Sequence, residues 1–447
     1  MTGDLPEGWR IARLGELGEW GSGGTPSKAR ADFWELGRIP WLSPKDLKRP
    51  RIGDSIDHVT QAAVTATRLR LLPPGSVVFV VRGLILARSF PVALTEASVT
   101  INQDLRYLVP TRDVVPSYLA WVLRHSEPRI LEAVREATHG TLRLESDTLR
   151  DLLIPLPPLS DQQRIVEKVE ALLVQVNTAR ERLTRASEIL KRFRRSVLAA
   201  ACAGRLTKEW RGGLGGPTTA GLDDEADMDG LPELPDIPST WATVPLGAIS
   251  RDVQYGASVK ASNDPSGVPI LRMGNIQDGN LDPSDLKYVG HAEAINLRGF
   301  LTEPGDVLFN RTNSPELVGK TAVVAESRPM LFASYLIRVR PRQDVALPEY
   351  VSFWLNSPWA KSWARVVRTD GVSQSNINAA KLKRMPVPLP PLAEQQAIIR
   401  RVRQLLTGSA ALDAPLTAAQ TRAANLERAI LEKALSGELV ETSPAQL

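Results

Sequence analysis

Ile154-Pro-Leu-Pro-Pro-Leu159, followed by Asp161-Gln-Gln163, returns as Val387-Pro-Leu-Pro-Pro-Leu392, followed by Glu394-Gln-Gln396, 233 residues later. Other frames recur at nearly the same displacement. Trp9-x4-Leu14-Gly15 returns as Trp241-x4-Leu246-Gly247, and Pro74-Gly75-x-Val77-x-Phe79 as Pro304-Gly305-x-Val307-x-Phe309. Pro116-x-Tyr118 returns as Pro348-x-Tyr350, and Ala203-Gly204-x-Leu206 as Ser436-Gly437-x-Leu439. Solenoid repeats run to about 20–50 residues, so a period this long marks the duplication of a whole domain-plus-helix module. Between the shared frames the halves diverge. Lys28–Arg38 bears no likeness to Lys260–Gly267, and Gly83–Asp104 little to Asn313–Tyr335. One framework with two different interiors points to two different binding surfaces.

Each Pro-Leu-Pro-Pro-Leu segment leads into a long heptad pattern. Ile165, Val169, Leu172, Val176, Ala179, Leu183, Ala186, Leu190, Phe193 and Val197 step alternately by four and three, as in a coiled-coil seam. Ser160 with Gln163 spells a capping box, and Gly204 stands where a C-terminal cap belongs. A helix over 160–203 is roughly 66 Å long at ~1.5 Å per residue. The second copy runs Ile398, Val402, Leu405, Ser409, Leu412, Leu416, Ala419, Ala423, Leu426 and Ile430. Gly408, Ser409 and Pro415 predict a kink or break in it. The first helix delivers the chain to the second globular domain, and the other can pack along it only by running back. The pair is therefore expected to be antiparallel, with a pseudo-two-fold internal repeat.

The globular modules mix strands with helices. Val77–Val81 and Val307–Phe309 follow Pro-Gly turns and read as buried strands. Tyr118–His125 and Tyr350–Leu355 follow prolines suited to a first helical turn, with Trp121 and Trp354 filling core. Residues 212–238 hold seven acidic residues, no basic ones and several Gly and Pro, the composition of a mobile tether. The resulting division is 1–159, a first recognition domain; 160–206, a central helix; 207–238, an acidic linker; 239–392, a second recognition domain; 393–439, a distal helix; and 440–447, a tail.

The chain has 447 residues, a length for two to four domains, with 43% apolar and 23% charged residues. Its net charge of +5 includes the acidic linker, so the rest is modestly basic, as suits a polyanionic partner. No stretch approaches the ~20 apolar residues of a membrane span. The single cysteine, Cys202, excludes a disulfide scaffold or a cysteine-built zinc site and fits the cytoplasm. The histidines at 58, 125, 139 and 291 are far apart, and no metal site is expected. Catalytic motifs are missing too. Pro157-Pro158 and Pro390-Pro391 follow leucine, where an amino-methyltransferase loop needs Asn or Asp. Gly18-Glu-Trp-Gly21-Ser-Gly23-Gly24 lacks the spacing of a dinucleotide loop, and Gly319-Lys320-Thr321 lacks the first glycine of a phosphate loop.

Gly23-Gly-Thr-Pro-Ser27, Ile39-Pro-Trp-Leu-Ser-Pro-Lys-Asp-Leu47 and Gly305-Asp-Val-Leu-Phe-Asn-Arg-Thr-Asn-Ser314, with both Pro-Leu-Pro-Pro-Leu junctions, resemble type I restriction–modification specificity subunits. The resemblance covers nearly the whole chain, in the order recognition domain, helix, recognition domain, helix. It implies a mixed α and β fold with two target-recognition domains held apart by two long antiparallel coiled-coil helices. It implies a non-catalytic subunit that binds a bipartite asymmetric duplex DNA target and scaffolds two methyltransferase subunits, which two restriction subunits can join. S-adenosylmethionine, ATP and Mg would belong to those partners, with no cofactor in this chain. The competing readings are a stand-alone DNA-modifying enzyme with fused recognition domains, which would need several hundred further residues, and a structural coiled-coil scaffold, which would not need two different interiors.

Phosphate and base-edge contacts call for Lys, Arg, Ser, Thr, Asn and Gln. By motif position, the candidates are Thr25, Ser27, Ser43, Lys45 and Arg82 in the first domain. In the second they are Arg272, Asn275, Arg311, Asn313, Ser314, Lys320 and Gln374, with Arg311 and Lys45 foremost.

Overall fold

Proline cannot donate to a sheet ladder, so Pro-Leu-Pro-Pro can enter a sheet only as an edge strand. In this computed structural model, which describes residues 6–67, 69–136, 141–213, 230–371 and 374–440, that is what both copies form. Arg10–Arg13 pairs antiparallel with Leu153–Leu156, and Ala242–Pro245 with Pro386–Leu389, each as a two-stranded ribbon. The chain divides into two compact units: Met1–Thr184 with Thr417–Leu447, and Arg185–Leu416. These units do not separate modules from helices; each joins one module to a length of both helices.

In the first unit a five-stranded sheet has the spatial order Gly18–Ser22, Leu105–Pro110, Val77–Val80, Val92–Thr95, Arg51–Ile52. Val77–Val80 is central, and all four of its residues are buried, as expected of a β-branched and aromatic run covered on both faces. A second sheet is ordered Asp57–Val59, Ile39–Leu42, Thr100–Ile101. Helix Pro116–His125 starts on its proline and buries Tyr118, Leu119, Val122 and Leu123. Trp121 on the same helix is only partly buried, with the Arg124 guanidinium 5.3 Å over its ring.

The second unit repeats the plan. Its main sheet is ordered Ser250–Tyr255, Leu336–Pro341, Val307–Asn310, Thr321–Val323, and its second sheet Lys287–Val289, Val268–Leu271, Leu331–Phe332. Helix Pro348–Leu355 buries Tyr350, Val351, Trp354 and Leu355. The turns before the central strands are matched. Gly75 at φ +86° and Gly305 at φ +91° supply the left-handed residue of a Pro-Gly turn. The Ser76 N–H donates to Pro73 O at 3.3 Å, and the Asp306 N–H to Glu303 O at 3.0 Å.

The central helix spans Leu159–Cys202, and Gly204 ends it at φ +68° in the left-handed conformation. Its start differs from expectation. Ser160 and Gln163 are exposed and make no reciprocal cap; Gln162 is buried instead. Gln162 Oε1 accepts the Val115 N–H at 2.7 Å, and its Nε2 donates to Asp113 O at 3.1 Å and Pro157 O at 2.9 Å. Gln395 repeats this, accepting from Leu347 N at 2.8 Å and donating to Val345 O at 2.8 Å and Pro390 O at 2.9 Å. The first Gln of each Gln-Gln pair thus holds its helix to its own module.

The seam also needs correction. Ile165, Val169, Val176 and Val197 are buried, and Leu172, Leu183 and Leu190 partly so, but Phe193 is 41% exposed. The second column of the heptad lies one residue on, at Leu173, Arg180, Ser187, Arg194 and Ala201. Arginine takes seam positions because it finds partners there. In the first unit Arg180 donates to Ala423 O and Ala424 O, each at 3.1 Å, and to Glu427 at 2.9 Å. In the second, Arg194 donates to Ser409 Oγ at 3.1 Å, Ser409 O at 2.9 Å and Asp413 at 2.7 Å.

The distal helix is broken as Gly408 and Pro415 predict, into Leu392–Ala410 and Asp413–Leu435. Arg194 therefore bonds a carbonyl in the last turn before the break, where intrahelical donors run out. Ile398, Val402 and Ile430 are buried and Leu405 and Leu416 partly buried. Leu412, in the break, is 55% exposed, and Leu426 is 48% exposed, its place taken by Glu427. Within each unit the two helical lengths run antiparallel. In the first, the central helix begins where Gly8 meets Pro158 and the distal helix ends with Gly437 against Pro6. In the second, the central helix ends with Gly204 against Pro238, and Glu394 at the start of the distal helix bonds Thr207.

Residues 214–229 of the expected tether, and 441–447 of the tail, lie outside the described residues. The described ends of the tether are packed, not solvated: Thr207 is buried, and Leu231, Leu234 and Ile237 lie on the core of the second unit. No helix among the described residues is long and apolar enough to cross a membrane.

Candidate nucleic-acid interface

Strand Ile39–Leu42 and its counterpart Val268–Leu271 both run into a turn closed by a side chain three residues on. Asp46 Oδ2 accepts the Ser43 N–H at 2.9 Å and the Ser43 hydroxyl at 2.7 Å. Asn275 Oδ1 accepts the Arg272 N–H at 2.9 Å, and its Nδ2 donates to Asp282 O and Asp285 O at 2.9 and 3.1 Å. Ser43 and Asn275 are therefore buried turn-formers whose hydrogen-bonding groups are already used. Lys45, exposed beside this turn, pairs with Asp57 at 2.8 Å, and that hydrogen bond raises its pKa. Arg272 pairs with Asp285 at 3.2 Å.

A second shared feature is a small hairpin that returns beside the end of the central strand. In the first module Arg135–Glu136 pairs with Leu142–Arg143, and Arg143 forms an antiparallel bridge with Arg82. In the second, Thr369–Asp370 pairs with Ser375–Asn376, and Asn376 pairs with Thr312. The backbone frame is the same, but two arginines stand where the other module has Thr and Asn. Asn376 Nδ2 donates to Thr312 Oγ1 at 2.9 Å, and its Oδ1 accepts from Arg311 at 3.0 Å. Arg311 also donates to Ser334 O at 3.2 Å and lies 4.9 Å over the Tyr255 ring. It is thus a positioning group that holds the hairpin against two strands.

The remaining candidates fall around these features. Thr25, exposed, bonds Gln103, and Ser27, exposed, accepts the Trp34 indole N–H on its carbonyl at 3.1 Å. Asn313 and Ser314 are half-buried in the segment leading from Thr312, where Asn313 Oδ1 accepts the Ser314 N–H at 2.8 Å. Lys320 donates to Gln277 at 3.1 Å. Gln374 is exposed at the hairpin tip, its carbonyl accepting the Gly371 N–H at 2.8 Å. Arg82, Asn313, Ser314 and Gln374 gather at the hairpins; Lys45 and Arg272 mark the other turn.

Sequence reading missed Arg106, Arg143 and Arg150 in the first module, and Asn376 and Lys361 in the second. Arg143 and Asn376 are found by applying the 233-residue displacement to the stretch before each Pro-Leu-Pro-Pro-Leu, which carries no motif of its own. Lys361 is packed with its Nζ 2.5 Å from Gly319 O, and burial, with Lys320 nearby, pushes its pKa down to about 8. Among the described residues no group of three or more His, Cys, Asp or Glu is placed to hold a metal ion.

Residues 6–185 and 238–415 match the family described as type I restriction modification DNA specificity domain. This chain belongs to that family. It is 32% identical over 320 residues to the Type I restriction enzyme EcoBI specificity subunit of Escherichia coli, an alignment covering 70% of this chain and 65% of that one. It is 27% identical over 458 residues to the EcoKI specificity subunit of Escherichia coli strain K12, covering 98% of this chain and 90% of the other. Two solved structures share the fold. One, from work on assembly and conformational transition of the type I R-M system, superposes with a TM-score of 0.69 at 23% identity, covering 98% of this chain and all of that one. The other, the HsdS subunit of Thermoanaerobacter tengcongensis, gives 0.50 at 22%, covering 98% and 99%. The two matched segments of the specificity family each hold one module and its hairpin, so the duplication read from the sequence is the family's own two-domain plan.

Proposed function

We propose that this chain is the DNA-reading subunit of a type I restriction–modification complex, itself non-catalytic, with each module recognising one half of a bipartite, asymmetric duplex target. One observation carries the reading: the modules share their structural residues and differ at equivalent positions of the hairpin and the strand beside it. Trp9 and Trp241, Tyr118 and Tyr350, and Gln162 and Gln395 occupy matching places, whereas Arg82 and Arg143 answer to Thr312 and Asn376. The same frame therefore offers DNA a different set of side chains in each module, as two unlike half-sites require.

In this reading the chain scaffolds two methyltransferase subunits, and two restriction subunits join them. S-adenosylmethionine, ATP and Mg are held by those partners. The test is to map methylated adenines in the source genome with and without this gene. The expected motif is two short, unlike half-sites separated by a fixed unspecified spacer; a single continuous or palindromic motif would overturn the proposal. Exchanging residues 239–388 for another family member's domain should then change one half-site and leave the other.

A further inference from the structure

Around the Arg82–Arg143 bridge the first module gathers four guanidinium groups. Arg106 is half-buried at the centre, where its Nη1 donates to Gln103 O at 3.2 Å and Leu105 O at 3.1 Å, and its Nε to Ser146 Oγ at 3.4 Å. Burial, and then the like charges of Arg143, Arg82 and Arg150, lower its pKa. The carboxylates nearby are peripheral. Glu145 pairs with Arg143 at 3.3 Å, and Asp147, 91% exposed, lies 3.9 Å from Arg150. Asp104, the third, is engaged with the Asn102 amide at 3.0 Å. Arg150 lies 5.6 Å over the Trp20 ring and is exposed.

The second module makes a control within the same chain. The positions of Arg82 and Arg143 hold Thr312 and Asn376, as the pairing shows. Arg106 faces Phe79 as Ile337 faces Phe309, and Arg150 abuts Gly15 as Lys383 abuts Gly247. Three of four cations are therefore absent from an otherwise matching frame, so the fold does not require them. Beside Arg82 a short turn also exposes Leu84 by 73% and Ile85 by 40%, an apolar tip flanked by cations. Like-charge crowding at a surface is unfavourable unless an anion is supplied, and an apolar tip beside it suits a ligand with flat apolar bases behind its phosphates.

We propose that Arg82, Arg143 and Arg150, held around Arg106, are the phosphate seat of the first module, gripping the DNA backbone next to the half-site that this module reads. The second module lacks three of these four cations at the matching positions. The assignment rests on the reading of the chain as a DNA-binding subunit, and the experiment separates the two.

The full-length chain and its R82Q/R143Q and R82K/R143K variants, each assembled with the methyltransferase subunits of its system, are titrated with a 40-base-pair duplex, carrying the methylated motif once mapped, across a range of salt concentrations. Each phosphate contact contributes about 0.9 to the slope of log Kobs against log salt. The Gln pair should lower that slope by about two, the Lys pair should keep it, and both should leave the methylated motif unchanged. Wild-type binding with an unchanged slope in the Gln pair overturns the seat while leaving the DNA-binding reading intact. Failure of the wild-type complex to bind duplex overturns both. A Gln pair that relaxes one base of the first half-site shows base reading in place of phosphate binding, and overturns the assignment.

Discussion

The two helix–module junctions carry the same motif and solve its buried charge differently. In the second unit Glu394, 1% exposed, accepts from Thr207 Oγ1 at 2.7 Å, from Arg211 at 2.5 Å and from the Trp241 indole N–H at 2.9 Å. In the first unit the matching acid is Asp161, one methylene shorter. It pairs with Arg164 on its own helix at 2.6 Å, and the buried Trp9 indole N–H has no partner among the described residues. Val440 stands where Thr207 stands in the other copy, so no hydroxyl is offered there. A buried carboxylate is tolerable only when every lone pair is matched, and the second junction recruits the chain after the central helix to do so. The duplication preserved the neutral glutamine clasp and let the charged contact drift.

The largest test of this contrast is Glu394→Ala against Asp161→Ala. Removing Glu394 strands Arg211, Thr207 and Trp241 together and should cost the second unit about 3–5 kcal/mol, as for other broken buried pairs. The Arg164 left by Asp161→Ala is 41% exposed and rehydrates, so the first unit should lose far less. Chemical denaturation followed by hydrogen exchange of each unit reads both; equal losses would break the comparison.

Lys361 gives the second test. It lies three residues after Pro358 as Leu131 lies three after Pro128, so one module packs an amine where the other packs an alkyl chain. With a folded pKa of about 8 against an ordinary 10.5, the folded state holds fewer protons than the unfolded chain between those values. Stability of the second unit should therefore rise as pH climbs from about 8 toward 10.5, by up to about 3 kcal/mol. Lys361→Leu should abolish that rise, and a wild-type unfolding profile already flat over this range would contradict the argument.

The clasp should behave identically at both ends. Gln162→Leu orphans the Val115 N–H and Gln395→Leu the Leu347 N–H, each costing about 1–3 kcal/mol in its own unit. Unequal losses in matched melts would mean that the acid beside each glutamine shares its work. Smallest of all, Asp161→Glu supplies the missing methylene. If it reaches Trp9, the first unit gains about 1 kcal/mol and the indole N–H exchanges more slowly.

Much of this was legible in the chain itself. The repeat, the Pro-Gly turns, the break at Gly408–Pro415 and the cap at Gly204 all follow from residues with strong local preferences, which act over a few positions wherever they stand. Heptad spacing likewise announced two coiled-coil helices. Yet spacing alone did not say which column faces inward. Phe193 and Arg194 are neighbours, and the arginine won the seam because the broken distal helix presents Ser409 O and Asp413 to it. The same holds for Gln162 over Gln163, and for Arg311 and Asn275, whose polar atoms are spent on strands and turns distant in sequence. Arg143 had no motif to mark it and became visible only when the hairpin brought it to Arg82. Local conformation is a property of neighbouring residues, so the sequence by itself determined the elements, their order and their duplication. A polar side chain's task depends on which unpaired group lies within about 3 Å, and only tertiary packing decides that.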